Sequence, residues 1–181
     1  MDDPTRGAVA TPAYSADGVH LLRTTHQVQY QLSQMADQKA NMLLGITFVI
    51  FTLAIGQARG GVPPLPVVIL AGTAFVAAML AVVAVLPSVG TAPPTQGSTA
   101  NLLFFGSFSQ ISEDEYAERM LDVLTNHRAI YDAFARDIYK NGVVLARKKY
   151  RLLGYAYSVL LVGLVLTLIA FVEPFAARLF V

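Results

Sequence analysis

Two long apolar runs without a charged residue limit what this chain can fold into. One covers residues 66–86 and the other residues 155–172. A helix needs about 20 mainly apolar residues to cross a hydrocarbon core of about 30 Å, so each run predicts a transmembrane helix. A third run, residues 42–57, is also uncharged but is marginal in length. We predict that it forms the first of three transmembrane helices.

The composition excludes a soluble globule and several kinds of chemistry. Hydrophobic residues make up 55% of the chain and charged residues 14%, against about 25% charged residues in a typical soluble domain. The net charge of +1 provides no basic field for a nucleic-acid polymer, and the chain has no cysteine. Its three histidines are scattered, and it has no Gly-rich phosphate loop or GxSxG motif. We therefore expect no catalytic residue, no metal ion, no cofactor and no enzymatic activity.

The segments that connect the spans differ in character. Residues 1–18 have the composition of a flexible tail, and residues 87–111 that of a Gly/Pro/Ser/Thr-rich linker ending in an aromatic segment. Residues 112–154 are predicted to form amphipathic helices, opened by an S-E-D-E capping box and broken near Gly142. Residues 173–181 are expected to form an external tail.

Residues 19–41 are predicted to form a helix that continues into the first span. No proline interrupts the sequence between residues 19 and 57. In the aqueous half of this helix, mainly apolar residues recur at alternating spacings of four and three, as in the seam of a coiled coil. A threonine and a lysine in the repeat weaken this pattern. The members of this repeat are Leu21, Thr25, Val28, Leu32, Met35 and Lys39. A continuous helix would transmit a change in its aqueous half rigidly to its membrane half.

Basic residues predict the orientation of the chain. Eleven of its 13 Lys and Arg residues lie before the first span or between the second and third spans. The positive-inside rule assigns both of these segments to the cytoplasm of a bacterial inner membrane. The expected fold is an all-α membrane protein with three transmembrane helices and a cytoplasmic N-terminus. The N-terminal helix and the helical insertion between spans two and three would form a cytoplasmic bundle.

Charged residues at the membrane edge admit two interpretations. Asp37 and Lys39 are two residues apart and do not face each other on a helix. They form either a polar cap, in which Lys39 snorkels to headgroups, or a structural coupling that pairs the N-terminal helix with the insertion. In residues 146–151, "ARKKYR", Lys148 and Lys149 are either anchors at the membrane surface or ligands for a phosphate.

The aromatic stretch "NLLFFGSF", residues 101–108, is also open to two interpretations. Phe104 and Phe105 either anchor the chain at the membrane interface or form the wall of a ligand pocket. In the second case their rings stack on a nucleobase, and Gly106 permits a close approach of the backbone. The helix that begins after Ser112 would then offer its positive N-terminal end to a phosphate.

Three stretches carry a resemblance to a known family. They are "ADQKANMLLGITF", "NLLFFGSFSQISEDEY" and "IYKNGVVLARKKYRLLGYAY". Together they resemble the membrane effectors of bacterial Pycsar anti-phage systems, the PycTM type, over residues 20–175. The resemblance implies that a partner cyclase makes a cyclic pyrimidine mononucleotide, cCMP or cUMP, on infection. It further implies that the effector responds by impairing the inner membrane, which leads to abortive infection.

Two hypotheses for function follow. In the first, the chain is a homo-oligomeric effector whose cytoplasmic bundle binds the cyclic nucleotide and whose spans act on the lipid bilayer. Small residues in the second span, Ala74 and Ala78 among them, would permit close helix packing. In the second hypothesis, the chain is a constitutive membrane scaffold or subunit that docks a cytoplasmic protein and binds no small molecule.

Overall fold

The computed structural model describes residues 15–58, 60–86 and 101–179, and its regular secondary structure there is entirely helical. Three stretches are long and apolar enough to cross a membrane, which confirms the predicted all-α fold with three spans. They are Asp17–Ala58, Leu65–Val85 and His127–Pro174. The helices are α1 (Ala16–Ala58), α2 (Leu65–Val85), α3 (Phe105–Phe108), α4 (Glu113–Thr125), α5 (His127–Val144), a π-helical segment (Leu145–Tyr150) and α6 (Arg151–Leu179).

Helix α1 joins the polar N-terminal segment to the first apolar run without a break. It has 43 residues, which corresponds to a length of about 64 Å at 1.5 Å per residue. About half of that length is enough to cross a bilayer, so the remainder extends into water. The best 18-residue window of this helix has a mean hydropathy of 1.7, so the first span does not depend on residues 42–57 alone.

Small residues form the core where the three long helices meet. Helix α2 packs against both α1 and α6, whereas α1 and α6 contact each other less. Gly163 of α6 lies so close to Thr73 of α2 that a Cβ atom built at Gly163 would overlap the Thr73 side chain. Small side chains allow this close packing in a membrane, where lipid provides no hydrophobic drive between helices. The buried core residues are Ala36, Ala40, Leu43, Ala74, Ala77, Ala81, Leu153, Ala156 and Leu160.

The face of α2 that packs differs from the face expected from the sequence. Ala74 is fully buried, but its partners on the packed face are Ala77 and Ala81. Ala78, which lies four residues after Ala74, is only partly buried. A four-residue spacing drifts around a helix by about 40°, so neighbours at spacings of three and four share the contact instead.

The insertion is broken at a different residue from the one expected. The N-cap of its predicted capping box is present, because Ser112 Oγ accepts a hydrogen bond from Glu115 N at 3.3 Å, while the Glu115 carboxylate pairs with Arg119. The break lies at Asn126, which caps α5 by accepting a hydrogen bond from Arg128 N. Gly142, where the sequence predicts a break, lies inside α5.

The predicted tails and linker lie partly outside the described residues. The flexible tail predicted for residues 1–18 is outside them as far as residue 14, and α1 already begins at Ala16. Residues 87–100 of the predicted linker and residues 180–181 of the external tail are also outside. Residues 173–179 continue α6.

Candidate functional site

Helix α1 contacts the insertion through polar groups just above the membrane segment. Lys149 Nζ donates to both carboxylate oxygens of Asp37, at 2.8 and 2.9 Å, and to Ser33 Oγ at 2.8 Å. Both charged side chains are partly exposed, so the pair is neither a free surface contact nor a fully buried one. Asp37 therefore lies in contact with the insertion, and its role in coupling α1 to the insertion stays a prediction.

Successive side chains of the π-helical segment contact different helices. Lys148 Nζ donates to the carbonyl oxygen of Leu86 at 2.8 Å, at the end of α2 where helical carbonyl groups have no partner within the helix. Tyr150 OH donates to the carbonyl oxygen of Leu32 on α1 at 3.1 Å. A π-helix changes the angular position of each residue relative to an α-helix and is frequent at functional sites. Through this segment, the start of the third span is joined to both other long helices.

A buried carboxylate forms a second polar cluster farther from the membrane. Asp137 of α5 is 1% exposed. Its carboxylate accepts hydrogen bonds from Asn101 Nδ2 at 2.7 Å and from Asn141 Nδ2 at 2.9 Å. The half-exposed ring of His26 on α1 lies with its Nε2 atom 3.4 Å from the same carboxylate. Burying an unpaired charge is costly, so these partners explain why an ionisable group is tolerated there.

Asp137 ties three parts of the chain together, and sequence analysis missed it. Asn101 belongs to the aromatic segment, His26 to α1 and Asn141 to α5. The signal in the sequence was a carboxylate at a core position of an amphipathic helix, in line with Phe134, Ile138 and Asn141. The partners were not predictable, because Asn101 precedes Asp137 by 36 residues and His26 lies on another helix.

Between the two clusters, α1 and α5 border a groove of about 430 Å³. The groove is shallow and open to solvent, and most of its lining surface is apolar. On the α1 side lies Gln29, whose Oε1 atom is buried without a hydrogen-bond partner among the described residues. The rest of the lining comes from α5 and the π segment: Ala135, Ile138, Tyr139, Gly142, Val143, Ala146 and Arg147.

The groove contains three kinds of group that can contact a polar ligand. Tyr139 is 71% exposed and offers an aromatic face, and the exposed Arg147 offers a charged fork for an anion. Gln29 offers an amide that both donates and accepts hydrogen bonds. A Cβ atom at Gly142 would lie 3.0 Å from Gln29 Nε2, so the missing side chain at this position allows α1 and α5 to approach closely.

We use the name "polar seam" for the α1 residues His26, Gln29, Ser33 and Asp37 and the groups they face in α5 and the π segment. These four residues recur at spacings of three and four and therefore lie on one side of α1. The seam contrasts with the apolar core of the spans. The Asp37–Lys149 contact of the seam is partly open to water, and such polar contacts separate at a lower cost than packed apolar surfaces.

Away from the seam, exposed ion pairs lie within single helices. Arg136 Nε donates to the Asp132 carboxylate at 2.6 Å, and this hydrogen bond, together with the charge of Asp132, raises the pKa of Arg136. Glu115 and Arg119 form a similar pair in α4. Exposed pairs at this spacing contribute little to stability and join no separate elements.

The aromatic residues singled out in the sequence occupy a folded turn. The ring centroids of Phe104 and Phe105 lie 5.0 Å apart, and Phe105 is 60% exposed. Gly106 is buried, and a Cβ atom there would come within 2.6 Å of the Phe104 ring. The close approach that the glycine permits is therefore already occupied by Phe104.

The remaining candidate residues are divided between two places. Ser112 uses its hydroxyl to cap α4, and three carboxylates in the first turn of that helix disfavour a phosphate. Lys39 is exposed, and its carbonyl oxygen accepts a hydrogen bond from Tyr157 OH at 3.0 Å. Contacts of the aromatic segment run to α4 and α5, whereas those of Lys148 and Lys149 run to α2 and α1. Among the described residues, no group of three or more His, Cys, Asp or Glu side chains is arranged to hold a metal ion.

Comparison with known proteins identifies one family. The family model of the Pycsar effector protein domain (PycTM) matches residues 20–173 of the 181-residue chain. The matched region includes the three spans, the polar seam and the aromatic segment. No curated protein and no solved structure matches the chain.

Proposed function

The chain belongs to the Pycsar effector protein family, and we propose that it impairs the bacterial inner membrane when a cyclic pyrimidine mononucleotide binds its aqueous bundle. Family membership and three candidate spans make it a multi-pass membrane effector of an anti-phage system. The proposal adds the ligand, cCMP or cUMP, and the consequence of binding for the bilayer. It assigns no catalytic step to the chain.

We place the ligand in the groove along the polar seam. In this arrangement Arg147 pairs with the cyclic phosphate, Tyr139 stacks on the pyrimidine and Gln29 pairs with the polar edge of the base. The observation that carries the proposal is the buried Oε1 atom of Gln29, for which the described residues provide no hydrogen-bond donor. An unsatisfied buried oxygen costs about 1–3 kcal/mol, so a ligand-bound state in which Gln29 turns towards the base relieves that cost.

The unbroken helix α1 would carry the response to the membrane. A ligand shifts an equilibrium only through a difference in its affinity for the two states. A nucleotide that separates α1 from α5 also strains the Asp37–Lys149 contact, about 12 Å farther along α1 from Gln29. Because α1 continues from the seam into the first span, a tilt of its aqueous half displaces its membrane half.

The proposed orientation places the seam in the cytoplasm, where a partner cyclase would release the nucleotide. The distribution of Lys and Arg residues supports it. Single cysteines at Gly60, in the turn between α1 and α2, and at Thr125, at the end of α4, test it, because the chain has no native cysteine. An impermeant thiol reagent added to intact spheroplasts should label only the Gly60→Cys variant. Labelling of Thr125→Cys alone would reverse the orientation.

Binding is tested with the purified full-length protein in lipid nanodiscs. Titration calorimetry with cCMP and cUMP, and with 3′,5′-cAMP and cGMP for comparison, should show binding of a pyrimidine nucleotide. Loss of a charge-assisted hydrogen bond costs about 1.5–3 kcal/mol, so Arg147→Ala should weaken affinity at least tenfold. Arg128→Ala removes the same charge from an exposed position of α5 outside the groove and should leave affinity unchanged.

The three parts of the proposal, which are the ligand, the groove and the action on the bilayer, fail separately. No binding of any pyrimidine nucleotide would refute the assigned ligand. Binding that Arg147→Ala and Arg128→Ala affect equally would refute the assigned groove but not the ligand. Nucleotide binding without leakage of dye from proteoliposomes would refute the action on the bilayer.

A further inference from the structure

The aqueous half of α1 has three faces, and only one of them packs against other described residues of the chain. That face is the polar seam. A second face is polar and exposed throughout, as expected for a surface in contact with water. Its residues are His20, Arg23, Thr24, Gln27, Tyr30, Gln31, Gln34, Gln38 and Asn41.

The third face is mainly apolar, and the described residues leave most of it exposed. Its large residues are Leu21, Val28, Leu32 and Met35, with exposures of 68%, 46%, 36% and 46%. Thr25 lies between the first two and is partly buried. These are the residues of the four-and-three repeat, whose mean spacing of 3.5 is that of a coiled-coil seam. We use the name "apolar stripe" for Leu21, Thr25, Val28, Leu32 and Met35.

We propose that a second copy of this chain covers the apolar stripe, as a parallel coiled coil of two α1 helices. The membrane supplies the geometry for this contact. Because α1 is one helix from Ala16 to Ala58, two copies inserted in the same bilayer have parallel α1 helices at the same height. Equivalent stripe positions then meet each other, which is the register that a parallel heptad pairing requires.

The residues beside the stripe permit pairing with a second copy of the chain. In a coiled coil, like charges at the positions flanking the seam oppose self-association. Here both flanks are uncharged within the aqueous repeat, so two identical helices meet without charge repulsion, although Gln29 and Ala36 on one flank also pack within the chain. The flanking residues are Leu22, Gln29 and Ala36 on one side and Thr24, Gln31 and Gln38 on the other.

The repeat changes character at the membrane surface. Lys39 is the next member of the repeat and is exposed, so its flexible side chain can place the charge among headgroups. Beyond it the same spacing continues through Met42, Ile46 and Val49, all of which are exposed to the hydrocarbon region. Lipid is as apolar as these side chains, so burial from water in the aqueous half is what drives the pairing.

Disulfide cross-linking in native membranes tests the pairing, since the chain has no cysteine of its own. Val28→Cys places a thiol in the apolar stripe, and Gln27→Cys places one on the neighbouring polar face. A disulfide forms only when the two Cα atoms approach within about 7 Å. With mild oxidant and no nucleotide, we expect Val28→Cys to give a covalent dimer several-fold more efficiently than Gln27→Cys.

A second variant tests the dependence of the dimer on the stripe. Leu32→Glu adds a like charge at the stripe of both copies and should reduce cross-linking through Val28→Cys at least fivefold, at unchanged expression in the membrane. Equal cross-linking by Val28→Cys and Gln27→Cys, or none by either, would overturn the proposal. An adduct with a mass other than twice that of the chain would instead assign the stripe to another protein. The experiment contains no nucleotide, so its outcome is independent of the proposed ligand.

Discussion

The contact between Asp37 and Lys149 should hold the resting state, and breaking it should produce activity without a signal. In the structure the ammonium group of Lys149 contacts both carboxylate oxygens of Asp37, and the side chains are 43% exposed for Asp37 and 21% for Lys149. Two unit charges about 4 Å apart gain about 4 kcal/mol at an effective dielectric constant of about 20. Desolvation and the ordering of two side chains offset most of that gain.

The contact therefore stabilises the resting state by about 1–2 kcal/mol net. This figure lies between the free energies usual for exposed ion pairs and for charge-assisted hydrogen bonds. If the contact exists only in the resting state, Asp37→Asn should raise the active fraction about five- to thirtyfold. Leakage of a dye from proteoliposomes without nucleotide measures that fraction. Lys149→Met should have a similar effect, whereas Lys140→Met, which removes a charge from an exposed position of α5, should have none.

The charge-swapped double variant separates the pair from its individual residues. Asp37→Lys combined with Lys149→Asp restores the attraction and should bring resting leakage back towards that of the wild type. The reasoning is refuted if Asp37→Asn leaks no more than the wild type, since the contact would then be equally present in both states. It is also refuted if the double variant leaks as much as the single ones.

Three further predictions follow from the packing of the helices. Gln38→Pro interrupts α1 at an exposed position and costs about 3 kcal/mol of helix stability. It should leave nucleotide binding intact and abolish nucleotide-dependent leakage, unlike Gln38→Ala; leakage equal to that of wild type would exclude rigid transmission along α1. Gly163→Ala should lower the thermal stability in detergent through its overlap with Thr73, whereas Gly154→Ala, with open space at its Cβ, should not; equal melting temperatures would contradict the packing. Asp137→Ala leaves its two amide partners unsatisfied and should expose the segment around residue 101 to limited proteolysis, an effect that Asp137→Asn should show less strongly because it keeps a hydrogen-bonding group.

The sequence by itself determined the three spans, the continuity of α1 and the start of α4, but not where the insertion breaks. The three spans follow from uncharged apolar runs, because the cost of burying charge in lipid is large and local. The continuity of α1 follows from the lack of a proline, and the start of α4 follows from the capping box of Ser112 and Glu115. The family was also recognisable from short motifs, and the match over residues 20–173 confirms it.

Tertiary structure alone decided which side chains meet. Asp37 and Lys149 were both singled out in the sequence, but their pairing across 112 residues depends on how α1 and the insertion are rotated about their axes. The same rotation buries Asp137 and brings the backbone of Gly163 close to the side chain of Thr73. Among the described residues it also leaves the apolar stripe exposed. The rotation of a helix is set by the packing of its whole surface against its neighbours, a sum of many small contact energies between residues far apart in the chain. Local sequence patterns do not contain that sum, so the polar seam and its groove became visible only in the folded molecule.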